Sequence, residues 1–209
     1  MLDPCTFVIF GATGNLSQKK LMPALYHLEQ AGRLPAEMRV LGVGRRDWDD
    51  HAWCKVVEEW LAPRARDGLD PAVFARFSAR LRFFRGDLDD LTTYTRLRET
   101  LAGDDCPPNI AFYMAVAPAD FGVVSNQLAE EGLNRDDEGW RRVVIEKPFG
   151  YDLESAEILN KRLHRHWRED RPVVADSDFA NTESIGGHPV SFYPFTAVSR
   201  AGVGLALGT

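Results

Sequence analysis

The segment Thr6–Lys20, TFVIFGATGNLSQKK, constrains the fold of this chain more than any other stretch. An apolar run, Phe7–Phe10, leads directly into a G-x-x-G turn, and a helical pattern follows, with Ser17 at the place of the usual third glycine. The order strand, glycine turn and helix start presents backbone N–H groups that bind phosphate. The segment predicts a dinucleotide or nucleotide site at the first βα turn. The alternative is an ordinary βα turn without a ligand.

Strand-like and helix-like segments alternate along the chain. Five strands are predicted, Thr6–Phe10, Arg39–Val43, Leu81–Phe84, Ile110–Val116 and Arg142–Ile145, with a weak strand signal at Pro172–Ala175. Helical patterns lie between them, and a last one covers residues 152–167. Nearly continuous apolar strands in such alternation predict an α/β fold, a Rossmann-like, doubly wound, mostly parallel sheet with helices on both faces.

Two details of the helices can be predicted from residue spacing. The first helix has an apolar face at i, i+3, i+4 and i+7, formed by Leu21, Ala24, Leu25 and Leu28. Asp47 is the predicted N-cap of the second helix, and either Asp89 or Thr92 is expected to start the helix that ends near Leu101.

Composition narrows the class of protein. The chain has 209 residues and a net charge of −6, so we expect no nucleic-acid partner. The cluster Arg76, Arg80, Arg82 and Arg85 is interpreted as a solvated helix face. Three cysteines without a C-x-x-C pattern indicate neither a disulfide framework nor a metal site. No signal peptide or membrane-length apolar run is visible, and a soluble cytoplasmic protein is expected.

Two basic residues follow the second predicted strand, which ends VLGVGRR. In dinucleotide-binding folds this position meets the adenosine ribose, where an acidic residue binds a free 2′-hydroxyl and an arginine favours a 2′-phosphate. Arg45 and Arg46 stand here, with Asp47 only after them. The pattern favours NADP over NAD. The alternative is a pair of surface arginines.

The fifth predicted strand ends VVIEKPFG, so two charged residues and a proline come directly after a buried strand. A lysine at this place, Lys147, would point into the cleft at the nicotinamide end, where it could hold an anionic substrate or relay a proton. The alternative is a solvent-exposed turn.

Together these segments resemble the NADP-dependent glucose-6-phosphate dehydrogenases, specifically their N-terminal coenzyme domain. The resemblance rests on FGATGNLSQKKLMPALYHL, VLGVGRRDWDD, FYMAVAPADFG and VVIEKPFG, which lie in family order and cover about residues 6–170. It implies oxidation of D-glucose 6-phosphate to 6-phosphogluconolactone with NADP, the first step of the pentose phosphate pathway. It also implies a possible homo-oligomer in the full-length family. No membrane partner is expected, because the sequence has no apolar run of membrane-spanning length.

The resemblance implies a role for each matching residue. The pyrophosphate turn would comprise Gly11, Thr13, Gly14, Asn15 and Leu16, although Asn15 replaces the usual aspartate. Thr13 and Arg45 would contact the 2′-phosphate, and Asp87 and Leu88 would lie near the adenosine. Ala115, Val116 and Pro118 would shape the nicotinamide pocket. Lys20 and Lys147 would reach the substrate, with Pro148 as a cis proline that aims Lys147.

The chain departs from the family after the last predicted helix. The family's substrate-phosphate segment, R-I-D-H-Y-L-G-K, corresponds here to a stretch beginning at Val174 that carries Asp178 for the histidine and Thr182 for the lysine. None of the five histidines matches the family's catalytic base. We therefore expect a coenzyme domain at residues 1–170 and a divergent, poorly ordered tail at 171–209, without the family's β+α domain. Apolar surface near Phe149 and Trp167 is then expected to be uncovered.

Two other functions are weighed. A non-catalytic NADP-binding module or truncated pseudoenzyme would keep the coenzyme site without turnover. A short-chain or NmrA-like reductase would also suit the GATGN turn, but those proteins usually carry Y-x-x-x-K, and no tyrosine here has a lysine four residues on.

Overall fold

The computed structural model describes residues 3–64, 68–146, 167 and 172–175. Its strands are β1 (Thr6–Phe10), β2 (Arg39–Gly44), β3 (Leu81–Arg85), β4 (Ile110–Met114), β5 (Arg141–Glu146) and β6 (Pro172–Ala175). Its α-helices are α1 (Met22–Gln30), α2 (Asp50–Leu61), α3 (Pro71–Ser78), α4 (Leu91–Leu101) and α5 (Phe121–Glu130).

The six strands form one sheet in the order β3-β2-β1-β4-β5-β6, and every pair is parallel. Strand order reverses beside β1: the chain moves outward through β2 and β3, then returns to place β4 on the other side. A crevice opens at such a reversal, outside the carboxyl ends of the strands, and ligands of doubly wound folds bind there. The predicted α/β, Rossmann-like fold is confirmed.

Two hydrophobic clusters cover the two faces of the sheet. Residues of α1, α2 and α3, among them Met22, Trp53 and Phe77, pack on one face. Residues of α4 and α5, with Tyr94 and Val124 fully buried, pack on the other. Strand side chains alternate between the two clusters, so the central strands β1 and β4 are buried along their whole length, as their continuous apolar runs predict.

A wide turn precedes α1. Residues Ser17–Leu21 form a π-helical turn that continues directly into α1. Pro23 supplies the physical reason, because a proline in a helix lacks the N–H donor and its ring clashes with the carbonyl four residues earlier, here that of Lys19. The buried positions after the turn are Met22, Leu25, Tyr26 and Glu29, whereas the predicted Ala24 and Leu28 are only half-buried. The buried face of α1 is thus offset by one residue from the predicted face.

The N-cap of α2 is Asp49 and not Asp47. The Asp49 carboxylate accepts a hydrogen bond from the Ala52 N–H at 2.7 Å, while Asp47 forms an ion pair with Arg85. The start of α4 falls between the two predicted residues, because Asp90 caps it by accepting from the Thr92 N–H at 3.0 Å.

The predicted basic helix face does not exist as a surface. Arg76 lies in α3, Arg80 follows that helix, and Arg82 and Arg85 belong to β3. Each guanidinium is in an ion pair: Arg76 and Arg80 with Glu29, Arg82 with Asp105 and Asp50, and Arg85 with Asp47. The four arginines have a spacing that resembles one face of a helix, but they extend from the end of α3 into β3.

The chain beyond β5 contributes to the core. Trp167 is 2% exposed, its indole N–H donates to the Ser125 hydroxyl at 2.8 Å, and its ring packs edge-on against Phe112. The expectation of uncovered apolar surface at Trp167 is therefore wrong, while Phe149 lies outside the described residues. The weak strand signal at Pro172–Ala175 is confirmed as β6, so the sheet continues past residue 170, where the coenzyme domain was expected to end.

None of the helices in the described residues is long and apolar enough to cross a bilayer. The same part of the chain holds no group of three or more His, Cys, Asp or Glu side chains that could bind a metal ion.

Candidate functional site

The ends of β1 and β4 touch at Gly11. This glycine has φ of +77°, and a Cβ built on it would lie 2.3 Å from the carbonyl oxygen of Ala115 and 2.9 Å from the Val116 side chain. A residue with a side chain fits neither the backbone conformation nor the space. The site therefore needs glycine here, and the closeness brings two predicted groups, the glycine turn and Ala115–Val116, to one point in the crevice.

The glycine turn folds back on itself before the helix starts. The Gly14 N–H donates to the Gly11 carbonyl at 2.9 Å, and the buried Ser17 hydroxyl donates to the same oxygen at 3.3 Å. Ser17 thus fits at the third glycine position by bonding to the turn. The first helical hydrogen bond runs from the Gln18 N–H to the Gly14 carbonyl, so the N–H groups of residues 15–17 precede it. Such N–H groups form an anion site.

Thr13 faces the end of β2. A Cβ on Gly44 would lie 3.0 Å from the Thr13 methyl carbon and 3.6 Å from its hydroxyl oxygen, so the Thr13 side chain rests on that glycine. The end of β3 is tied to the same place, because the Gly86 N–H donates to the Gly44 carbonyl at 3.0 Å. The turn after β1 and the ends of β2 and β3 therefore lie side by side at the carboxyl edge of the sheet.

A cleft of about 360 Å³ opens at the ends of β2 and β3. It is lined by Arg45, Arg85, Gly86, Asp87, Asp90, Thr93 and Arg96. Three of these residues carry guanidinium groups, which bind phosphate oxygens well because their planar N–H donors match two oxygens at once. The Arg45 side chain is exposed and has no ion-pair partner among residues 3–64 and 68–146.

The loop after β3 is held by side chains of α4. The Asp87 N–H donates to the Thr93 hydroxyl at 3.1 Å, and the Tyr94 hydroxyl donates to the Leu88 carbonyl at 2.9 Å. Burial raises the pKa of Tyr94 well above its ordinary value, and nearby aspartates add to the effect, so this hydroxyl stays a donor. The loop that carries Asp87 and Leu88 is consequently fixed before any ligand arrives.

The structure collects the predicted coenzyme residues into two neighbouring groups. One holds Gly11, Thr13, Gly14, Asn15 and Leu16 with Ala115 and Val116, and the other holds Arg45 and Asp87 in the cleft. The side chain of Leu16 packs against the core cluster under α1, and that of Leu88 against the opposite cluster, so both would act through their backbone. Pro118 begins a 3₁₀ turn ahead of α5.

The predicted substrate lysines differ in what can be said of them. Lys20 is half-buried in the wide turn before α1. Lys147 and Pro148 lie outside the described residues, and their predicted roles stay predictions.

Sequence reasoning placed Gly86 among the residues just after the strands but missed the rest of the cleft lining, namely Arg85, Asp90, Thr93 and Arg96. One signal was available for Arg85. It ends β3 in the same way that Arg45 follows β2, and the carboxyl ends of adjacent parallel strands meet at one edge. The other residues come from the start of α4, which only the three-dimensional packing brings to the cleft.

Comparison with known proteins assigns the chain to a family. Residues 8–173 match the family described as glucose-6-phosphate dehydrogenase, NAD binding domain. The chain belongs to this family. Among curated proteins it is 39% identical over 165 residues to the glucose-6-phosphate 1-dehydrogenase of Dickeya dadantii, covering 79% of this chain and 33% of the relative. It is 41% identical over 172 residues to glucose-6-phosphate 1-dehydrogenase 2 of Mycobacterium tuberculosis, covering 80% and 34%.

Solved structures agree with the family. The glucose-6-phosphate 1-dehydrogenase of Mycobacterium avium superposes with a TM-score of 0.73 at 33% identity, covering 83% of this chain and 36% of that one. A glucose-6-phosphate dehydrogenase in complex with its substrate glucose-6-phosphate superposes with a TM-score of 0.71 at 29% identity, covering 86% and 38%. The chain spans about a third of the length of the curated relatives it matches, and that third is their coenzyme-binding domain.

The residues present fit a nicotinamide dinucleotide. Gly11 lets the turn pass directly against the Ala115 carbonyl, and the helix start that follows offers backbone N–H groups to a diphosphate. Arg45 follows Gly44, which the Thr13 side chain contacts, and it lines the cleft where the adenosine ribose would meet the sheet.

Proposed function

We propose that this chain is the coenzyme-binding part of an NADP-dependent dehydrogenase that oxidises glucose 6-phosphate to 6-phosphogluconolactone. One observation carries the coenzyme choice: a guanidinium, that of Arg45, lines the cleft after β2 where an NAD-specific site would have a carboxylate. The substrate follows from the family and from the solved relative that is in complex with glucose-6-phosphate.

Each described residue has a defined task in this proposal. The N–H groups at the helix start hold the diphosphate, and Arg45 with the Thr13 hydroxyl binds the 2′-phosphate. Ala115 and Val116, fixed against Gly11, set the depth at which the nicotinamide end enters the crevice. The coenzyme supplies the hydride acceptor when bound, and the protein contributes orientation and charge. Lys20 and Lys147 would hold the anionic sugar.

A second function, a non-catalytic NADP-binding module, is favoured by the sequence from Val174 onward. The stretch from Val174 to Glu183 carries Asp178 in place of the histidine and Thr182 in place of the lysine of the family's substrate-phosphate segment. Carboxylates there would repel a sugar phosphate. Both functions share the coenzyme site and differ in turnover.

Fluorescence titration with NADPH and NADH tests the coenzyme assignment. The wild-type chain is expected to bind NADPH more tightly, and Arg45→Ala should remove most of that preference, about tenfold or more for a charge-assisted contact. Arg46→Ala is the matched control, because Arg46 is exposed beside Arg45 but does not line the cleft. Equal affinity of the wild type for both coenzymes would overturn the NADP assignment.

A turnover assay tests the second function. The same purified chain is incubated with glucose 6-phosphate and NADP, and NADPH is followed by absorbance. Turnover would overturn the binding module, whereas little or no turnover is expected of a coenzyme-binding part by itself, since the chain spans about a third of its relatives.

A further inference from the structure

We propose that Arg85 is a second ligand of the 2′-phosphate and that Asp47 occupies Arg85 until the phosphate arrives, so that this ion pair tunes the preference for NADP. The inference rests on the proposed coenzyme. It assigns a specificity role to two residues outside the expected binding set, one at the end of β3 and one in the loop after β2.

Strand register places Arg85 beside the expected phosphate site. Its Cα is the partner of Gly44 in the β2–β3 ladder, and Gly44 directly precedes Arg45. The Gly86 N–H then bonds to the Gly44 carbonyl at 3.0 Å, which locks the two strand ends together. Arg45 and Arg85 line the same cleft of about 360 Å³. Two arginines, one directly after β2 and one at the end of β3, thus line one space.

The backbone of Arg85 is held by a neighbouring helix, whereas its side chain is held only by an exposed ion pair. Arg96, on α4, donates a hydrogen bond to the Arg85 carbonyl, and its guanidinium lies over the Phe84 ring at 5.1 Å from the ring centre. Arg96 is therefore occupied with positioning the end of β3. The Arg85 side chain reaches across to Asp47, with Nη1 2.8 Å from the carboxylate Oδ1.

The Arg85–Asp47 pair is of the kind that a phosphate can replace. The two side chains are 61% and 85% exposed, so water and salt screen the pair and it holds the chain only weakly. A phosphate dianion carries twice the charge of a carboxylate and accepts two guanidinium N–H bonds at once. If the phosphate replaced Asp47 as the partner of Arg85, the Asp47 carboxylate would be left in solvent, and little stabilising free energy would be lost.

The carboxylates inside the cleft have other partners. Asp90 accepts from the Thr92 N–H at the start of α4, and Asp87 accepts from the Asp89 N–H at 3.2 Å. Neither forms an ion pair with Arg85 or Arg45 among the described residues. Asp47 is thus the competitor to remove in an experiment.

The test measures binding of 2′,5′-ADP and 5′-AMP to the full chain by calorimetry, since the two ligands differ in the 2′-phosphate. Arg85→Ala should weaken 2′,5′-ADP by about three- to tenfold and leave 5′-AMP unchanged. Asp47→Asn should strengthen 2′,5′-ADP by about two- to fivefold, an effect that should vanish in the double variant if Asp47 acts through Arg85. Arg98→Ala is the control, an arginine of similar exposure paired with Glu131 away from the cleft.

The outcomes separate this inference from the coenzyme assignment. The role of Arg85 would be overturned, and the NADP assignment kept, if Arg45→Ala lowers the affinity for 2′,5′-ADP and Arg85→Ala does not. An unchanged affinity in Asp47→Asn would overturn the competition. If the folded wild-type chain binds 2′,5′-ADP no better than 5′-AMP, both the inference and the NADP assignment fall.

Discussion

The carbonyl oxygen of Ala115 lies so close to Gly11 that a single added carbon would come within 2.3 Å of it. This contact joins the carboxyl ends of β1 and β4, the two central strands at which the order of the sheet reverses. The same glycine starts the turn whose N–H groups are offered to a diphosphate. Folding and coenzyme binding therefore depend on the same missing side chain.

Replacing Gly11 with alanine should destabilise the chain strongly and remove coenzyme binding. The positive φ contributes about 1–2 kcal/mol, and the clash with Ala115 adds about 1–3 kcal/mol as in an overpacked core. Urea denaturation measures the change. Gly32→Ala is a matched control, because Gly32 also has positive φ but no heavy atom within 4 Å of its added Cβ. Equal losses in the two variants would show that the contact with Ala115 contributes nothing.

Glu29 is a buried carboxylate that two arginines hold unequally. Arg80, 12% exposed, lies 2.8 Å from it as an ion pair without good hydrogen-bond direction, and Arg76 lies 3.2 Å away but is 56% exposed. We expect Arg80→Ala to lose about 3–5 kcal/mol, because Glu29 would keep a buried charge. Arg76→Ala should lose only about 0–1 kcal/mol. The free energy of unfolding in urea tests this, and a larger loss for Arg76→Ala would contradict it.

Ser125→Ala should report whether the chain beyond β5 is packed on the core. The variant leaves the buried Trp167 indole N–H without its acceptor, which should lower the free energy of unfolding by about 1–3 kcal/mol. Ser78→Ala is the control, since its hydroxyl bonds only to the Ala75 carbonyl on its own helix, and its effect should stay within about 0.5 kcal/mol. No difference between the two would argue against the packing of Trp167.

The Asp105 carboxylate should make part of the free energy of unfolding depend on pH in the acid range. Hydrogen bonds from Arg39, with a further contribution from Arg82, hold the pKa of Asp105 below its ordinary 3.8. Its contribution is therefore present above that pH and is lost as the pH falls through the lowered pKa. As the pH falls below 4, the free energy of unfolding should decrease less in Asp105→Asn than in the wild type. Urea denaturation at each pH measures this. Asp104→Asn, at an exposed neighbour, should follow the wild type.

The strands and the glycine turn could be predicted because their signals are local. A continuous apolar run such as Phe7–Phe10 and a following glycine leave few alternatives, and the structure has β1, the turn and the crevice where the pattern indicates. Arg45 was found for the same reason, as the residue directly after a predicted strand.

What could not be predicted depends on contacts between distant segments. Asp47, Asp49 and Asp50 are equally suited to cap α2 by type. Asp47 pairs with Arg85 and Asp50 accepts a hydrogen bond from the Phe83 N–H, both in β3, so Asp49 is left to form the cap. The burial of Trp167 needs Ser125 and Phe112, which lie more than forty residues away. Arg85 reaches the cleft because the strand register pairs it with Gly44, and the grouping of arginines in the sequence does not reveal this pairing.

The wide turn before α1 acts as a rotational adjustment. Tightening Ser17–Leu21 into ordinary α-helix would be equivalent to deleting one residue, and everything N-terminal to it would swing by about 100° around the helix axis while the buried face of α1 stayed in place. Lys20 would then point in a different direction. Pro23, which favours the wide turn, thereby governs the direction of Lys20, the lysine expected to reach the substrate.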